Sequence, residues 1–389
     1  MLRRYQYIKM EQKRHFCLQQ NPFMLFWLLF FKKDTLRPAI IKGFKKWSIR
    51  WIKSKVREYY YFYKTIFKFI SFVKYKFCLQ NIDSLVELPF YGQICVLVNK
   101  GYKIFDLSRG VAIKVYRDDV DMSTITNEME CLQKGSLFNF GPSIRRMNIK
   151  ERWYEEDYIC GSLDYSPNPR DSKTLLKKFY KDIVPCLESL IIWQFPITKN
   201  TIDYVNEIKN ILVTDNLLRE ELGVKNIDKI LSFIHLMVER VHSEGNLPIF
   251  LVLTHGDFCP ANMLNTRHGL KVIDWESATV RSALFDFYSY FFFRPLHQKL
   301  PIDKLSSEIE MALPYLTAKL DAITPTISWS LKSFEKIYRY FFYIERVYML
   351  VERERYDTKL NIMDNILRYI EVFNSYEKIY AENIEKGDK

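Results

Sequence analysis

The feature that most constrains this chain is an alternation of apolar runs and polar turns between residues 248 and 276. Pro248–Leu253 is apolar and β-branched, which predicts a buried strand that ends at a polar turn. The short apolar runs Met263–Leu264 and Leu270–Ile273 are separated by turn-forming residues and predict a hairpin. A carboxylate before such a hairpin and another just after it can face the same cleft. The stretch therefore predicts a polar site beside a buried strand.

Three polar side chains occupy these positions: Asp257 on the turn before the hairpin, Asn262 at its start and Asp274 after it. Phosphoryl transfer needs one acceptor to orient a hydroxyl nucleophile and at least two oxygen ligands to hold Mg²⁺ against the nucleotide phosphates. An isolated Asp or Asn at such places can also simply cap the ends of a hairpin. The chemistry of the three side chains nevertheless suits metal-assisted phosphoryl transfer.

The motif His255-x-Asp257-x4-Asn262, followed by Ile273-Asp274-Trp275-Glu276, resembles the catalytic signature of the aminoglycoside phosphotransferase and choline kinase-like family, which has a protein kinase-like fold. The resemblance implies that Asp257 is the catalytic base and that His255 shapes the catalytic loop. It also implies that Asn262 and Asp274 are the metal ligands, and that the cofactors are ATP and Mg²⁺.

A further aspartate, Asp286, lies in the run Leu284–Phe287, where this family often carries one that braces the catalytic loop. The Gly-Asp-Pro that usually precedes it in the family is absent. The resemblance therefore implies a structural role for Asp286, from a motif that is less complete than the catalytic one.

Residues 81–160 predict a small β-rich lobe that binds the nucleotide. Ile94–Val98, Tyr102–Phe105 and Val111–Tyr116 are predicted strands joined by short turns. The first turn contains only Gly101, whereas protein kinases have several glycines in this turn. The sequence thus predicts nucleotide binding without a Gly-rich loop.

The third strand contains Val-Ala-Ile-Lys and resembles the kinase strand whose lysine binds the α- and β-phosphates. By this resemblance Lys114 is the phosphate ligand and Ala112 lines the adenine pocket. Met122–Gln133 is a predicted helix, on which Glu128 matches the partner of the lysine, with Glu130 as the alternative if the register shifts by two. A single lysine at a strand end can also be a surface residue, but the order Lys114, Glu128 and catalytic loop is the order that a kinase requires.

The hinge is expected at residues 157–161, where the backbones of Asp157 and Ile159 would bind adenine. Residues 161–389 are then the predicted C-terminal lobe, with the catalytic loop and the acceptor site. Asn226–His242 is its clearest helix. The later helical runs Leu331–Glu354 and Asn361–Phe373 alternate aromatic and charged residues. Their aromatic stripes are expected to pack in the core rather than to bind a ligand.

The positive charge of the chain is concentrated in residues 1–80. The net charge is +12, but residues 1–80 contain 19 Lys or Arg against three acids, so the rest of the chain is net −4. From Pro38 to Ile70, apolar and aromatic residues recur at three- and four-residue steps with cationic residues between them, which predicts an amphipathic helix. Such a helix can lie on an anionic membrane surface or pack on the body of the protein. The sequence shows no nucleic-acid-binding motif beside this positive charge, so nucleic acid is not an expected partner.

Cysteine content and hydrophobicity point to the cytoplasm. The seven cysteines are scattered and never form Cys-x-x-Cys, so neither a disulfide framework nor a zinc site is expected. The longest apolar run near the N-terminus lies between Pro22 and Lys32 and contains nine residues, whereas a spanning helix needs ~20. We expect a cytoplasmic protein with peripheral contact at the inner face of the cell membrane.

The sequence thus predicts an α+β, bilobal protein kinase-like fold preceded by a basic, aromatic-rich helical segment. The predicted activity is transfer of the γ-phosphoryl group of ATP to a hydroxyl of a small molecule or a glycan, with a lipid-linked or cell-envelope saccharide as one candidate. An aminoglycoside or choline and ethanolamine kinase is the first alternative. A catalytically silent kinase-like scaffold at a membrane surface is the second.

Overall fold

The computed structural model describes residues 4–9, 14–23, 85–163, 171–192, 196–214, 224–298, 300–354 and 362–387, with positions 25, 66, 69–73 and 76. The chain divides into two compact units. Unit 1 contains the described residues of 1–129, 141–163 and 264–273, and unit 2 those of 130–140, 164–263 and 274–389. The hairpin predicted after the strand Pro248–Leu253, which we expected in the C-terminal lobe, is therefore grouped with unit 1.

The described chain is mostly strands in unit 1 and mostly helices in unit 2. The strands are β1 Tyr5–Lys9, β2 Arg14–Cys17, β3 Leu85–Leu88, β4 Ile94–Val98, β5 Gly101–Asp106, β6 Val111–Tyr116, β7 Ile144–Asn148, β8 Trp153–Asp157, β9 Ser162–Leu163, β10 Ile197–Asn200, β11 Pro248–Thr254, β12 Met263–Thr266, β13 Gly269–Val272 and β14 Thr279–Ser282. The helices are α1 Met122–Gly135, α2 Ser172–Lys178, α3 Val184–Ile192, α4 Thr201–Thr214, α5 Val224–Ser243, α6 Phe285–Gln298, α7 Ile302–Asp321, α8 Pro325–Ser333, α9 Glu335–Glu354 and α10 Ile362–Gly387. The α+β class that the sequence predicted, with a β-rich part and a helical part, is confirmed.

Unit 1 is built on an antiparallel sheet of eight described strands in the order β3-β1-β2-β4-β5-β6-β8-β7. Successive side chains of a strand point to opposite faces, so the neighbours Tyr7 and Ile8 enter two different apolar clusters. Tyr7 packs with Ile104 and Ile113 on one face, and Ile8 packs with Phe16 on the other. Both faces of the sheet are therefore covered, and β6 lies near its centre.

Two of these strands lie before residue 81, where we expected the β-rich lobe to begin. β1 pairs with β2 and β3, and β2 pairs with β4, so both are integral to the sheet. The start of the segment 1–80 therefore belongs to unit 1, because the backbone N–H and C=O groups of β1 and β2 pair with other strands of its sheet. The amphipathic helix predicted from Pro38 to Ile70 lies almost entirely outside the described residues.

The predicted elements of unit 1 are confirmed with small shifts at their ends. The strands expected from Ile94, Tyr102 and Val111 are β4, β5 and β6, and the helix expected from Met122 is α1, which extends to Gly135. β12 and β13 form the predicted hairpin, and β12 pairs with β9 to make a three-stranded sheet.

Unit 2 packs its helices around a core of aromatic rings, beside a three-stranded sheet in the order β10-β11-β14. Phe292 of α6, Phe342 and Tyr343 of α9 and Phe373 of α10 are all buried and contact one another, with ring centroids of Tyr343 and Phe373 4.2 Å apart. The aromatic stripes are core residues, as predicted. The run expected as one helix from Leu331 to Glu354 is instead α8 and α9. In the part of the chain that the structure describes, no helix is long and apolar enough to cross a membrane.

Candidate active site

The catalytic loop of unit 2 begins where β11 ends. This strand is almost wholly buried between β10 and β14, and it positions His255, Gly256 and Asp257 at its end. Gly256 has a φ of +82°, and a Cβ at this position would lie 2.2 Å from the Ser277 carbonyl oxygen and 2.8 Å from Arg281 Nη1. Both the left-handed backbone and the lack of space require glycine here.

Asp286 braces this loop from the first turn of α6. Its buried carboxylate accepts the backbone N–H of His255 at 2.6 Å and that of Gly256 at 3.0 Å. Burial raises the pKa of the Asp286 carboxyl to about 7, although the two backbone donors and Arg281 act to lower it, and Asp257 raises it further. These two hydrogen bonds suit the bracing role that the sequence resemblance implied for Asp286.

His255 is fully buried and shapes the loop from inside. Its Nδ1 accepts the backbone N–H of Asp257 at 3.2 Å, and its ring meets the ring of Trp275 edge-on with centroids 4.8 Å apart. These contacts place His255 behind the backbone of Asp257. They suit the loop-shaping role that we predicted for it.

Asp257 is only partly buried, and Asn262 holds it on one side. Asn262 Nδ2 donates to the Asp257 backbone carbonyl at 2.9 Å and to its carboxylate Oδ2 at 3.2 Å. The amide nitrogen of Asn262 is thereby committed to Asp257. Its amide oxygen remains as the atom that can bind a metal ion.

Arg346 of α9 holds Asp257 on the other side, and the sequence reasoning did not identify it. Its Nη2 lies 3.4 Å from Asp257 Oδ1, and its Nη1 donates to the Gly256 carbonyl at 3.0 Å. Nη2 also donates to the Tyr369 hydroxyl at 2.7 Å. The available signal was an Arg among the aromatic and apolar residues of a predicted helix, because such a buried charge needs a partner.

The predicted metal ligands Asn262 and Asp274 lie just before and just after the hairpin β12–β13. Asp274 has a left-handed backbone, with φ 71° and ψ 57°, and its side chain is exposed at the start of the short 3₁₀ helix Trp275–Ser277. Carboxylate and amide oxygens are the donors that Mg²⁺ prefers, with phosphate oxygens and water completing its shell. The donor types of this pair fit Mg²⁺.

The predicted nucleotide residues of unit 1 centre on a buried ion pair. Lys114 Nζ lies 2.6 Å from Glu128 Oε1, and both side chains are buried. Lys100, from the turn between β4 and β5, reaches the other carboxylate oxygen of Glu128 at 3.0 Å and was not predicted. Glu130, the alternative to Glu128, is exposed.

The predicted adenine contacts are Ala112 on β6, Asp157 at the end of β8 and Ile159 just after it. Ala112 is buried on β6. The N–H of Asp157 donates to the Ser143 carbonyl at 2.9 Å, and its carboxylate accepts from Arg145 Nε at 2.6 Å. The N–H of Asp157 is therefore occupied within the sheet, and the expected contacts of the Asp157 and Ile159 backbones with adenine remain predictions.

Comparison with known proteins agrees with the motif. The model of the phosphotransferase enzyme family matches residues 218–305, a range that contains Asp257, Asn262, Asp274 and Asp286. No curated protein matches the chain in sequence.

Several solved structures are similar to the chain at low sequence identity. The choline kinase LicA of Streptococcus pneumoniae is 14% identical over 72% of this chain and 91% of its own, with a TM-score of 0.43. An ethanolamine kinase of Plasmodium vivax is 15% identical over 85% of this chain and 95% of its own, with a TM-score of 0.48. A thermostable mutant of the aminoglycoside phosphotransferase APH(4)-Ia, in ternary complex with ADP and hygromycin B, is 12% identical over 70% of this chain and 89% of its own, with a TM-score of 0.41.

The family match spans α5, β11, the catalytic loop and the hairpin β12–β13, and so contains the whole motif. The prediction of a phosphotransferase enzyme is confirmed at the level of this family match. Over residues 218–305 the chain carries the sequence pattern of the phosphotransferase enzyme family, as its catalytic motif predicted.

Proposed function

We propose that this protein transfers the γ-phosphoryl group of ATP to a hydroxyl group of a small molecule or a glycan. The observation that carries this proposal is the arrangement around Asp257. One carboxylate oxygen faces the Asn262 amide at 3.2 Å and the other faces Arg346 at 3.4 Å, while Asp286 fixes the loop backbone. A carboxylate fixed in this way is suited to accept and orient a hydroxyl.

Asp257 would accept a hydrogen bond from the acceptor hydroxyl and align its oxygen with the γ-phosphorus. The new bond joins the acceptor oxygen to phosphorus, and the bond between phosphorus and the β-γ bridging oxygen breaks. The hydroxyl proton leaves through Asp257, and the products are ADP and a phosphomonoester. Asn262 and Asp274 would hold Mg²⁺, which supplies neutralisation of phosphate charge when it is bound.

The nucleotide-binding role falls to unit 1. Lys114 would bind the α- and β-phosphates, and Glu128 would hold its ammonium group in place. Lys100 adds a second cation on the same carboxylate, on the turn that in this chain contains only one glycine. Ala112 would contact adenine, together with the backbone of Asp157 and Ile159.

The acceptor that we favour is a saccharide at a membrane surface, such as a lipid-linked or cell-envelope glycan. The support is the charge of residues 1–80, where a net +16 stands beside the predicted amphipathic helix. Aminoglycosides, choline and ethanolamine remain alternatives, because the catalytic motif is shared among their kinases.

A silent kinase-like scaffold is the alternative from another class, and an activity screen separates the two. Purified full-length protein would be incubated with Mg²⁺-ATP and pooled aminoglycosides, amino alcohols, sugars and envelope-glycan extracts, with the Asp257→Asn protein as control. An enzyme consumes ATP in one pool in proportion to phosphorylated product, and the control does not. If no pool accepts phosphate and Mg²⁺-ATP does not raise the melting temperature, the protein is a scaffold.

A further inference from the structure

Arg281 is a buried arginine that hydrogen-bonds two separate segments of unit 2. It lies on β14, the neighbour of β11 in the sheet, and only 5% of the residue is exposed. Its Nη1 donates to the Thr254 hydroxyl at 2.9 Å and to the Ser277 carbonyl at 3.0 Å. One nitrogen atom therefore joins the end of a strand to the end of a 3₁₀ helix.

Each of these two segments leads directly to a residue of the candidate site. Thr254 ends β11 and is followed by the loop that carries Asp257. Ser277 ends the short 3₁₀ helix that follows Asp274. The hydrogen bonds of Arg281 thus connect the loop of the proposed base to the loop of a proposed metal ligand, and all of these residues belong to unit 2.

The surroundings of the Arg281 guanidinium are closely packed. A Cβ at Gly256 would lie 2.8 Å from Arg281 Nη1 and 2.2 Å from the Ser277 carbonyl oxygen, so the backbone of the catalytic loop packs against this hydrogen bond. The guanidinium also lies over the Phe285 ring, with Cζ 4.7 Å from the ring centroid. Because there is little free space around it, Nη1 is held in one position.

Two buried carboxylates act on the charge of Arg281. Burial lowers the pKa of Arg281, whereas Glu345 and Asp286 raise it, so the guanidinium stays charged. Both carboxylates also accept backbone N–H groups near the site. Asp286 accepts two from the catalytic loop, and Glu345 accepts that of Ser282 at 2.8 Å. The charge of Arg281 therefore stabilises two groups that themselves hold the backbone in place.

The position of Arg281 coincides with a departure from the family motif. The Gly-Asp-Pro that usually precedes the bracing aspartate is absent, and the stretch before Asp286 begins with Arg281-Ser282-Ala283. The absent motif contains no arginine. The link between the two loops is therefore not implied by the family resemblance, and it follows from this chain's own residues.

We propose that Arg281 is a positioning residue that fixes the loop of Asp257 relative to the loop of Asp274 during phosphoryl transfer. This inference rests on the proposed function. In-line transfer needs the hydroxyl at Asp257 and the metal-bound phosphate at Asp274 to keep one geometry, and a misplacement of about 1 Å can lower the rate ~10²-fold. In this role Arg281 acts through the two loops and does not contact the substrate.

Two substitutions break the link from its opposite ends. Arg281→Met removes the guanidinium, and Thr254→Val removes only a hydroxyl, which accepts from Arg281 and donates to a backbone carbonyl at 2.8 Å. The matched control is Thr201→Val, near the start of β11. Thr201 is also buried, and its hydroxyl donates to a backbone carbonyl at 2.9 Å and accepts a backbone N–H at 3.1 Å. The control therefore loses the same kinds of hydrogen bond away from the two loops.

The first measurement separates kcat from KM in phosphoryl transfer to the pool that the wild type phosphorylates. Rates are taken at a temperature at which every variant is folded. We expect kcat to fall by roughly 10²-fold in Arg281→Met and by less in Thr254→Val, while KM for Mg²⁺-ATP changes little. The double variant should lose no more than Arg281→Met, because both substitutions break the same hydrogen bond. Thr201→Val should keep the wild-type kcat even if it melts earlier.

The second measurement needs no acceptor and follows amide hydrogen exchange in the full-length protein. In Arg281→Met and in Thr254→Val, the amides of both 255–257 and 275–278 should exchange faster than in the wild type, because each loop loses its link to the other. Thr201→Val should change neither segment. If Arg281→Met does not fold, Thr254→Val carries both measurements.

The two measurements distinguish failure of the inference from failure of the proposed function. If exchange changes in neither loop, or if kcat stays normal in both variants, the inference fails whatever the enzyme does. Equal losses of kcat in Thr254→Val and Thr201→Val would also overturn it, since they would show a general loss of stability. If both loops exchange faster but the wild type phosphorylates no pool and Mg²⁺-ATP gives no thermal shift, Arg281 links the loops and the phosphotransferase function falls, and with it the role of Arg281 in transfer.

Discussion

Lys114 Nζ lies 2.6 Å from Glu128 Oε1, and neither side chain is accessible enough for water to replace its partner. Removing one member of such a pair leaves an uncompensated buried charge, which typically destabilises by about 3–5 kcal/mol. The pair therefore has two effects that experiments must separate, one on stability and one on nucleotide binding.

We predict that Lys114→Ala abolishes the Mg²⁺-ATP thermal shift, because it removes the charge that would contact the α- and β-phosphates. Glu128→Ala should weaken the shift less, since Glu128 only positions the lysine and Lys100 stays close to the site. Melting temperatures without nucleotide give the stability effect of each substitution. Glu130→Ala is the matched control, because Glu130 is exposed on the same helix. If Glu130→Ala weakens the Mg²⁺-ATP thermal shift more than Glu128→Ala does, the predicted register of the helix is wrong by two residues.

We predict that Asp257→Asn and Asp274→Asn fail in different ways. Asp257→Asn keeps the shape of the loop but removes the carboxylate that would orient the hydroxyl, so turnover should fall by at least about 10²-fold while Mg²⁺-ATP binding persists. Asp274→Asn removes a charged oxygen ligand and should weaken metal-dependent nucleotide binding itself. Phosphoryl transfer and thermal shifts, each with and without Mg²⁺, separate the two. Equal loss of nucleotide binding in both would contradict the assigned roles.

The catalytic loop could be predicted from sequence because its parts are local. Asp257, Asn262, Asp274 and Asp286 lie within 30 positions, and strand and turn patterns determine which of them follow a buried strand. Arg346 lies 89 positions after Asp257, so only the packing of α9 against the loop reveals the contact.

The first two strands of unit 1 could not be predicted for the same reason, because their partners are distant in the sequence. β1 and β2 are short, and their pairing with β3 and β4 spans more than 70 residues of chain. The pairing of strands that are so distant in the sequence cannot be recognised from local composition. The local signal in residues 1–80 was their charge, which predicted a separate basic segment. The structure instead has β1 and β2 of the unit 1 sheet at the start of this segment.

We predict that Gly256→Ala destabilises the protein more than Gly245→Ala. Both glycines have positive φ, +82° and +93°, so both substitutions carry the left-handed backbone penalty of about 1 kcal/mol. Only at Gly256 does a new Cβ meet a backbone oxygen at 2.2 Å, whereas nothing lies within 4 Å at Gly245. Denaturant unfolding of the two variants isolates the effect of the clash. Similar unfolding free energies would mean that the loop moves aside without strain.

We predict that Asp286 makes the protein less stable as the pH rises from about 4 to about 7. Its folded-state pKa is about 7, whereas an unfolded Asp titrates near about 4, so between these values the folded chain binds more protons than the unfolded chain. The free energy of unfolding due to this group therefore falls from about pH 4 to about pH 7. Asp286→Asn removes this titration, so the decline should be shallower than in the wild type. Denaturant unfolding at about pH 5 and about pH 8 tests this, with the exposed Glu130→Gln as the control that should keep the wild-type slope.

We predict that the full-length protein binds anionic lipid vesicles and not neutral ones, and that added salt releases it. The reason is the net charge of +16 in residues 1–80 beside the apolar stripe of the predicted helix, with each cation near the surface contributing ~1 kcal/mol. Deleting residues 1–80 is not a suitable control, because it would also remove β1 and β2 from the sheet of unit 1. Replacing Lys42, Lys45, Lys46 and Lys53 with Gln changes the charge and keeps both strands.

The matched control for that variant replaces four exposed lysines of unit 2 with Gln, namely Lys173, Lys177, Lys319 and Lys336. Co-sedimentation with phosphatidylglycerol vesicles should fall strongly in the first variant and little in the control, because only the first lowers charge beside the apolar stripe. Equal loss in both variants would show that binding depends on net charge alone. Absence of wild-type binding at low salt would remove the main support for an acceptor at a membrane surface.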